Sequence, residues 1–133
     1  MQFWLLKTEP RDYSWEMLEK EQTTKWDGVR NFEARNYMKK MELNDFAFFY
    51  HTGAERKIIG LTKVVKTYYN DPKDSKFGIV EVSLVKSCKK QLSLDEIKLI
   101  PELQNMVLLK RGRLSVMPVT KAEADFIFQK TGL

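Results

Sequence analysis

The sequence predicts a mixed α/β or α+β fold, with about five strands and four short helices around a curved mixed sheet that can close into a barrel. Two observations predict it: short apolar or alternating runs typical of strands, and helix-capping residues between and after them. A length of 133 residues fits a single domain, which we place over residues 1–133. With 43% hydrophobic and 12% aromatic residues, the chain is not an intrinsically disordered protein.

The strands are predicted from apolar runs of four to ten residues. The aromatic-rich segment Asp45–His51 suits a strand that is buried on both faces. The segment from Phe77 alternates between apolar and polar residues and leaves one apolar face. Gly60 marks a bulge or a close backbone approach, and residues 70–76 carry the turn formers and charges of a surface loop between two strands. The predicted strands are Phe3–Leu6, Asp45–His51, Lys57–Lys66, Phe77–Lys86 and a closing strand, Leu114–Met117, before Pro118.

The helices are predicted from residues whose side chains can accept hydrogen bonds from the first free backbone N–H groups of a helix. Acidic residues at the start of these segments and lysines near the end of the second also match the helix dipole. The predicted starts are Ser14 before Trp15–Lys20, Asn31 before Phe32–Met41, and the capping boxes Ser93–Glu96 and Thr120–Glu123; Pro101 opens a shorter turn.

Charge and composition exclude several classes of protein. The excess of 23 Lys and Arg over 18 Asp and Glu, a net charge of +5, favours a polyanionic partner such as nucleic acid. No apolar run is long enough to cross a membrane. With one cysteine, Cys88, and one histidine, His51, we expect no disulfide, no metal site and a reducing, cytoplasmic location. No phosphate loop, dinucleotide fingerprint or nucleophile elbow is present, so no catalytic residue and no cofactor is assigned.

Three clusters place polar side chains directly after an apolar or aromatic run. They are Lys7–Pro10, Trp26–Asn31 and Phe48–Gly53. Rigid scaffolds present binding groups at such element ends. A flat ring beside amides, an imidazole and a carboxylate is suited to hold a nucleobase, because the ring stacks on the base and the polar groups read its edge.

The motifs that carry these clusters resemble the EVE domain, from about Phe3 to about Ile127. The resemblance implies a PUA-like fold, a mixed β-barrel of about five to six strands flanked by short helices, related to PUA, ASCH and YTH domains. It also implies a pocket for a modified base, often a modified cytosine in DNA, or a modified base in RNA. The matching motifs are Trp4–Pro10 with Tyr13 and Ser14, Trp26–Asn31 with Ala34–Asn36, Phe48–His51, Met106–Leu109, and Arg113–Val116 with Pro118–Thr120.

Candidate site residues follow from the clusters and the resemblance together. Trp26 is the stacking candidate, with a core tryptophan as the alternative; Asn31 could cap a helix, and His51 could be structural. The candidates for base binding are Thr8, Glu9, Trp26, Arg30, Asn31, Tyr50, His51 and Thr52. The candidates for phosphate contact are Arg35, Lys110, Arg111 and Arg113, which could also be solvated surface cations.

Three functions remain open from the sequence. The first is a nucleic-acid-binding module that recognises a modified base, held in flipped or unpaired form. The second is a small hydrolase of modified nucleosides, with Glu9 or His51 as the base and Lys7 as its charge partner. The third is an RNA-binding or protein-interaction module. In a protein-interaction module, an aromatic cage would bind a modified side chain of the partner.

Overall fold

The computed structural model describes residues 1–133, which form six strands, five α-helices and one 3-10 turn at Pro101–Leu103. The strands are β1 (Phe3–Thr8), β2 (Thr23–Trp26), β3 (Phe46–His51), β4 (Lys57–Asp71), β5 (Asp74–Ser93) and β6 (Val116–Val119). The helices are α1 (Trp15–Glu21), α2 (Phe32–Lys39), α3 (Leu94–Leu99), α4 (Val107–Lys110) and α5 (Lys121–Thr131).

All six strands belong to one mixed sheet in the order β2-β5-β4-β3-β1-β6. Only β1 and β3 are parallel, with Phe3 opposite Phe46 and Thr8 opposite His51, and every other pair is antiparallel. The mixed α and β architecture with short flanking helices confirms the predicted fold class. The parallel pairing brings the ends of β1 and β3 to one edge, which is where two of the polar clusters lie.

The register of the sheet shifts repeatedly along the β4–β5 hairpin and once between β3 and β4. Such bulges bend strands and increase their twist, so the sheet curves. One shift lies beside Gly60, where an added Cβ would approach the Trp15 ring to 2.4 Å. The prediction for Gly60 is therefore confirmed, because this position combines a register shift with a close contact that excludes a side chain.

The core lies between the curved sheet and the helices. Strand β3 buries five consecutive residues, Ala47–His51, which confirms the prediction of a strand buried on both faces. Helix α5 packs through Phe128 against the rings of Phe3, Phe46 and Phe48, at centroid distances of 5.2 to 6.1 Å. The capping residues Ser14, Asn31, Ser93 and Thr120 all accept the expected backbone hydrogen bonds.

Four expectations about elements are wrong or incomplete. Strand β6 contains Pro118, which was expected to end it; proline is tolerated because β6 is an edge strand and needs no N–H donor on its outer side. Residues 70–76 are mostly strand, and only Pro72 and Lys73 lie between β4 and β5. Strand β2 and helix α4 were not predicted.

None of the helices is both long and apolar enough to span a membrane.

Candidate nucleic-acid interface

A cavity of about 810 Å³ lies between the two ends of the curved sheet. Strand β2 at one end of the strand order and residues at the β1–β6 end both contribute to its wall, so the cavity occupies the gap where the sheet does not close on itself. Its walls are mostly polar. The lining residues are Lys7, Thr8, Glu9, Asp12, Tyr13, Met17, Glu21, Thr23–Arg30 and Ser115.

Two aromatic side chains form one wall of this cavity. Trp26 ends β2 and is only 7% exposed, because its ring packs edge to face against Phe49 at 5.7 Å and against Tyr13 at 6.3 Å. The Tyr13 hydroxyl donates to a Glu21 carboxylate oxygen at 2.5 Å. Burial, reinforced by this hydrogen bond, raises the pKa of Tyr13 to about 12. Tyr13 is therefore a neutral phenol at physiological pH, and its ring keeps a fixed orientation beside Trp26.

Four carboxylate residues line the cavity, Glu9, Asp12, Glu21 and Asp27, and the two that directly follow strands differ in their hydrogen bonding. Asp27 follows Trp26 and is exposed, and no hydrogen bond or ion pair within the protein uses its side chain. Glu9 follows β1, accepts from the Thr52 hydroxyl at 3.2 Å and pairs with the exposed Arg11 at 3.4 Å. Carboxylate oxygens are the acceptors that match the exocyclic amine of cytosine. Asp27 is therefore a free acceptor on this cavity, and so is the exposed Asp12, whose carboxylate also has no partner within the protein.

Glu9 is held in place by the turn that follows β3. The backbone N–H of Thr52 donates to the Thr8 carbonyl at 2.9 Å, and the Thr8 hydroxyl donates to the Tyr13 carbonyl at 2.9 Å. Gly53 has a left-handed backbone with φ +72°, and an added Cβ would lie 2.6 Å from a Glu9 carboxylate oxygen. Thr52 does not line the cavity itself; it positions a residue that does.

Lys7 lines the cavity on the side of β6. Its ammonium donates to the Gly112 carbonyl at 2.9 Å and lies 5.8 Å from the centroid of the Tyr50 ring. Burial lowers the pKa of this ammonium below its usual value. The structure thus places Lys7 and Glu9 on the wall of one cavity, as the hydrolase hypothesis requires, but His51 is not on that wall.

Tyr50 and His51 lie behind the cavity wall rather than on it. Both are buried in β3, at 2% and 6% exposure. His51 Nε2 accepts from the Trp15 backbone N–H at 3.1 Å, which leaves Nδ1 as the protonated nitrogen that donates to Glu55 at 3.0 Å. Both ring nitrogens are thus used within the protein. Unlike Trp26, Tyr50 and His51 are therefore not placed where they could touch a ligand in the cavity.

A second cavity of about 290 Å³ is lined in part by Gly112, whose carbonyl accepts the hydrogen bond from Lys7 on the wall of the first. Asn31 contributes to it, while its side-chain oxygen caps α2 through the Ala34 N–H at 2.9 Å. Arg111 is engaged in a two-pronged ion pair with Glu33, at 2.5 and 3.0 Å. Lys110 and Arg113 are exposed and make no side-chain hydrogen bond or ion pair within the protein. The lining residues are Asn31 and Lys110–Leu114.

Arg30 and Arg35 lie on either side of the start of α2. Arg30 lines the main cavity, and its Nε is 3.6 Å from an Asp74 carboxylate oxygen. Arg35 is outside both cavities, and its guanidinium donates to the Lys76 carbonyl at 3.0 Å. Of the twelve candidates, the structure therefore places Thr8, Glu9, Trp26 and Arg30 on the main cavity, and Asn31, Lys110, Arg111 and Arg113 on the second.

Sequence reasoning left several cavity residues out of the candidate set. Thr23, Thr24 and Lys25 belong to β2, whose two adjacent β-branched residues before an aromatic are a short strand signal that was available. Tyr13, in the turn between β1 and α1, and Ser115, directly before β6, also line the cavity. No group of three or more His, Cys, Asp or Glu side chains is arranged to hold a metal ion.

Comparison with known proteins places these features in a family. The protein-family model of the EVE domain matches residues 2–130 of this chain. Thymocyte nuclear protein 1 from Rattus norvegicus is 38% identical over 161 aligned positions, which cover 94% of this chain and 71% of that protein. The human protein of the same name is 37% identical, over 93% of this chain and 71% of that protein.

Solved structures show the same fold. A protein from Agrobacterium tumefaciens is 36% identical with a TM-score of 0.95, covering 100% of this chain and 94% of that one. Human THYN1, solved in complex with DNA that contains 5-methylcytosine, is 34% identical with a TM-score of 0.92, covering 100% and 99%. An ASCH protein from Zymomonas mobilis is 10% identical with a TM-score of 0.62, a likeness of fold alone. The chain belongs to the EVE domain family.

Proposed function

We propose that this protein binds DNA that carries a modified cytosine, 5-methylcytosine in the first place, and that it holds the single modified base in the main cavity. The observation that carries the proposal is the juxtaposition of the Trp26 and Tyr13 rings with the unpaired Asp27 carboxylate in the gap of the sheet. Support comes from the human relative, which was solved in complex with DNA containing 5-methylcytosine and has the same fold over the whole chain.

The chemistry of the cavity wall suits a methylated cytosine. Asp27 and Glu9 can accept from the exocyclic amine, while the hydroxyls of Thr24 and Ser115 can donate to or accept from the remaining base edge. The 5-methyl group needs apolar contact, which this largely polar cavity provides only in part of its wall. The apolar wall residues are Tyr13, Met17, Trp26 and Val29.

A base can enter this cavity only outside the base stack. Extruding a nucleotide from a duplex costs a few kcal/mol, and the cost is smallest for unpaired or mismatched bases. We therefore expect tighter binding to single-stranded or mismatched 5-methylcytosine than to the same base in a matched duplex. Lys110 and Arg113, which have no partner within the protein, are available to contact the phosphates on either side of the base.

The test is a fluorescence polarisation titration with oligonucleotides that differ only in one base, cytosine or 5-methylcytosine, prepared as single-stranded DNA, duplex DNA and RNA. The wild type should prefer 5-methylcytosine DNA. Trp26→Leu should lower that affinity about tenfold or more, because a stacked ring contributes about 1–3 kcal/mol per base. Asp27→Ala should lower it to a similar extent, since the exocyclic amine of the base then loses this acceptor.

Trp26→Phe is the matched control, because it keeps a flat ring at the same buried position. Leucine rather than alanine is used at Trp26, since truncating a buried tryptophan to alanine costs about 3–5 kcal/mol of stability and would confuse binding with folding. Equal affinity for cytosine and 5-methylcytosine in the wild type would contradict the proposal. A preference confined to the RNA series would move the function to RNA.

A further inference from the structure

An exposed aromatic ring stands outside both cavities at the start of α2. Phe32 is 54% exposed, although phenylalanine is among the residues most often buried. Its ring is stacked on that of Phe77, with centroids 5.0 Å apart and planes inclined by 30°. Helix α2 does not need this ring for its own burial, because Ala34 and Met38 supply its core-facing positions. Phe32 is therefore a solvent-facing ring with a fixed orientation.

The outer face of the Phe32 ring is open. The Arg35 guanidinium carbon lies 4.7 Å from the Phe32 centroid and 5.9 Å from the Phe77 centroid. A guanidinium above the outer face of Phe32 would be much farther from Phe77, which lies on the opposite face. Arg35 is therefore beside the two rings, where its hydrogen bond to the Lys76 carbonyl holds it. A flat apolar surface bordered by a cation is left for a ligand.

The position of this ring relates it to the proposed DNA path. Its chain neighbour Asn31 lines the second cavity, and the residue before that, Arg30, lines the main one. Arg30 also lies 5.6 Å from the Phe77 ring. Phe32 thus stands next to the rim of the main cavity, on the side where the unpaired cations Lys110 and Arg113 border the second cavity.

We infer that Phe32 is a second stacking platform, which takes the base of the nucleotide next to the one held in the main cavity. An aromatic face bordered by cations is what single-stranded nucleic acid requires, because every base has a face that stacks and every phosphate a charge to be paired. The inference rests on the proposed function, since it places the neighbouring base relative to the modified one.

The test uses the full chain and single-stranded DNA with one 5-methylcytosine, in which the base on the 5′ side or the 3′ side is replaced by an abasic sugar. One of the two abasic oligonucleotides should bind the wild type about tenfold more weakly than the complete one. Phe32→Leu should bind the complete oligonucleotide as weakly as that abasic one, because leucine retains packing on Phe77 but has no flat face. Phe32→Tyr should behave as the wild type, and so should Leu99→Ala, which removes an exposed side chain elsewhere.

The outcomes separate the inference from the proposed function. If the wild type distinguishes 5-methylcytosine from cytosine, but neither abasic oligonucleotide nor Phe32→Leu weakens binding, the platform is refuted and the modified-base function stands. If the wild type does not distinguish the two bases, the proposed function fails, whereas an abasic effect that Phe32→Leu abolishes would still establish the ring as a stacking site. Circular dichroism and thermal melting check that each variant is folded.

Discussion

His51 is a buried side chain whose hydrogen bonds connect three segments of the chain. Its Nε2 satisfies the Trp15 N–H at the start of α1, and its Nδ1 binds Glu55 in the turn after β3. Trp15 in turn donates from its indole to the Ser87 hydroxyl at 2.9 Å and covers Gly60. The histidine thus orients the helix that carries one wall of the cavity.

We predict that His51→Phe destabilises the protein by about 1–3 kcal/mol, because it leaves the buried Trp15 N–H without an acceptor while retaining a ring against Phe49. Urea denaturation measures the change. At a temperature where the variant is fully folded, its affinity for 5-methylcytosine DNA should equal that of the wild type. Lost affinity with unchanged stability would restore His51 as a group that reads the base.

At the scale of the elements, the capping residues connect local sequence to tertiary packing. Helix α5 begins at a capping box in which Thr120 accepts from the Glu123 N–H and Glu123 accepts from the Thr120 N–H. This fixes the first turn of the helix whose Phe128 ring closes the core against β1 and β3.

Thr120→Ala should lower the free energy of unfolding by about 1 kcal/mol, the usual contribution of a helix N-cap. Lys121→Ala is the control on the same turn. It removes only an exposed ion pair with Asp125, so we expect a change below about 0.5 kcal/mol. Comparable losses in the two variants, measured by chemical denaturation, would argue against a specific capping contribution.

The elements differ in how far the sequence alone predicts them. The four capped helices were predictable because each capping side chain and the backbone N–H that donates to it lie three residues apart. Strand β2 is only four residues long, and its identity depends on pairing with Val80–Ser83 of β5, far away in the chain. The cavity depends on the curvature that brings β2 towards β1 and β6. The motif resemblance therefore indicated Trp26 and Glu9 as site residues; Tyr13 and Ser115 belong to the same motifs, but only the fold places them on the cavity.

At the scale of the whole molecule, the net charge is +5, and the basic side chains differ in whether they form ion pairs within the protein. Arg111 and Arg30 lie in ion pairs, whereas Lys110 and Arg113 do not. A second basic group, Lys89 and Lys90, lies on the distant part of β5. Only the cations next to the cavities should respond to a bound DNA strand.

The salt dependence of binding tests this distribution of charge. In the variant with both Lys110→Ala and Arg113→Ala, the slope of log K against log salt for single-stranded DNA should be shallower by about 1 to 1.5. The preference for 5-methylcytosine over cytosine should persist. Replacing Lys89 and Lys90 by alanine should leave the slope unchanged; an equal change in that control would assign the attraction to overall charge.

The strand order has a consequence for how the molecule is assembled during synthesis. Strand β1 has β3 on one side and β6 on the other, so it pairs with a segment that is synthesised long after it. The β4–β5 hairpin has a two-residue connection and can form as soon as it leaves the ribosome. Ribosomes add about 5–20 residues per second. The nascent chain therefore holds β1 without its second neighbour for several seconds, and the cavity between β2 and the β1–β6 end of the sheet comes into being only after translation has passed Val119.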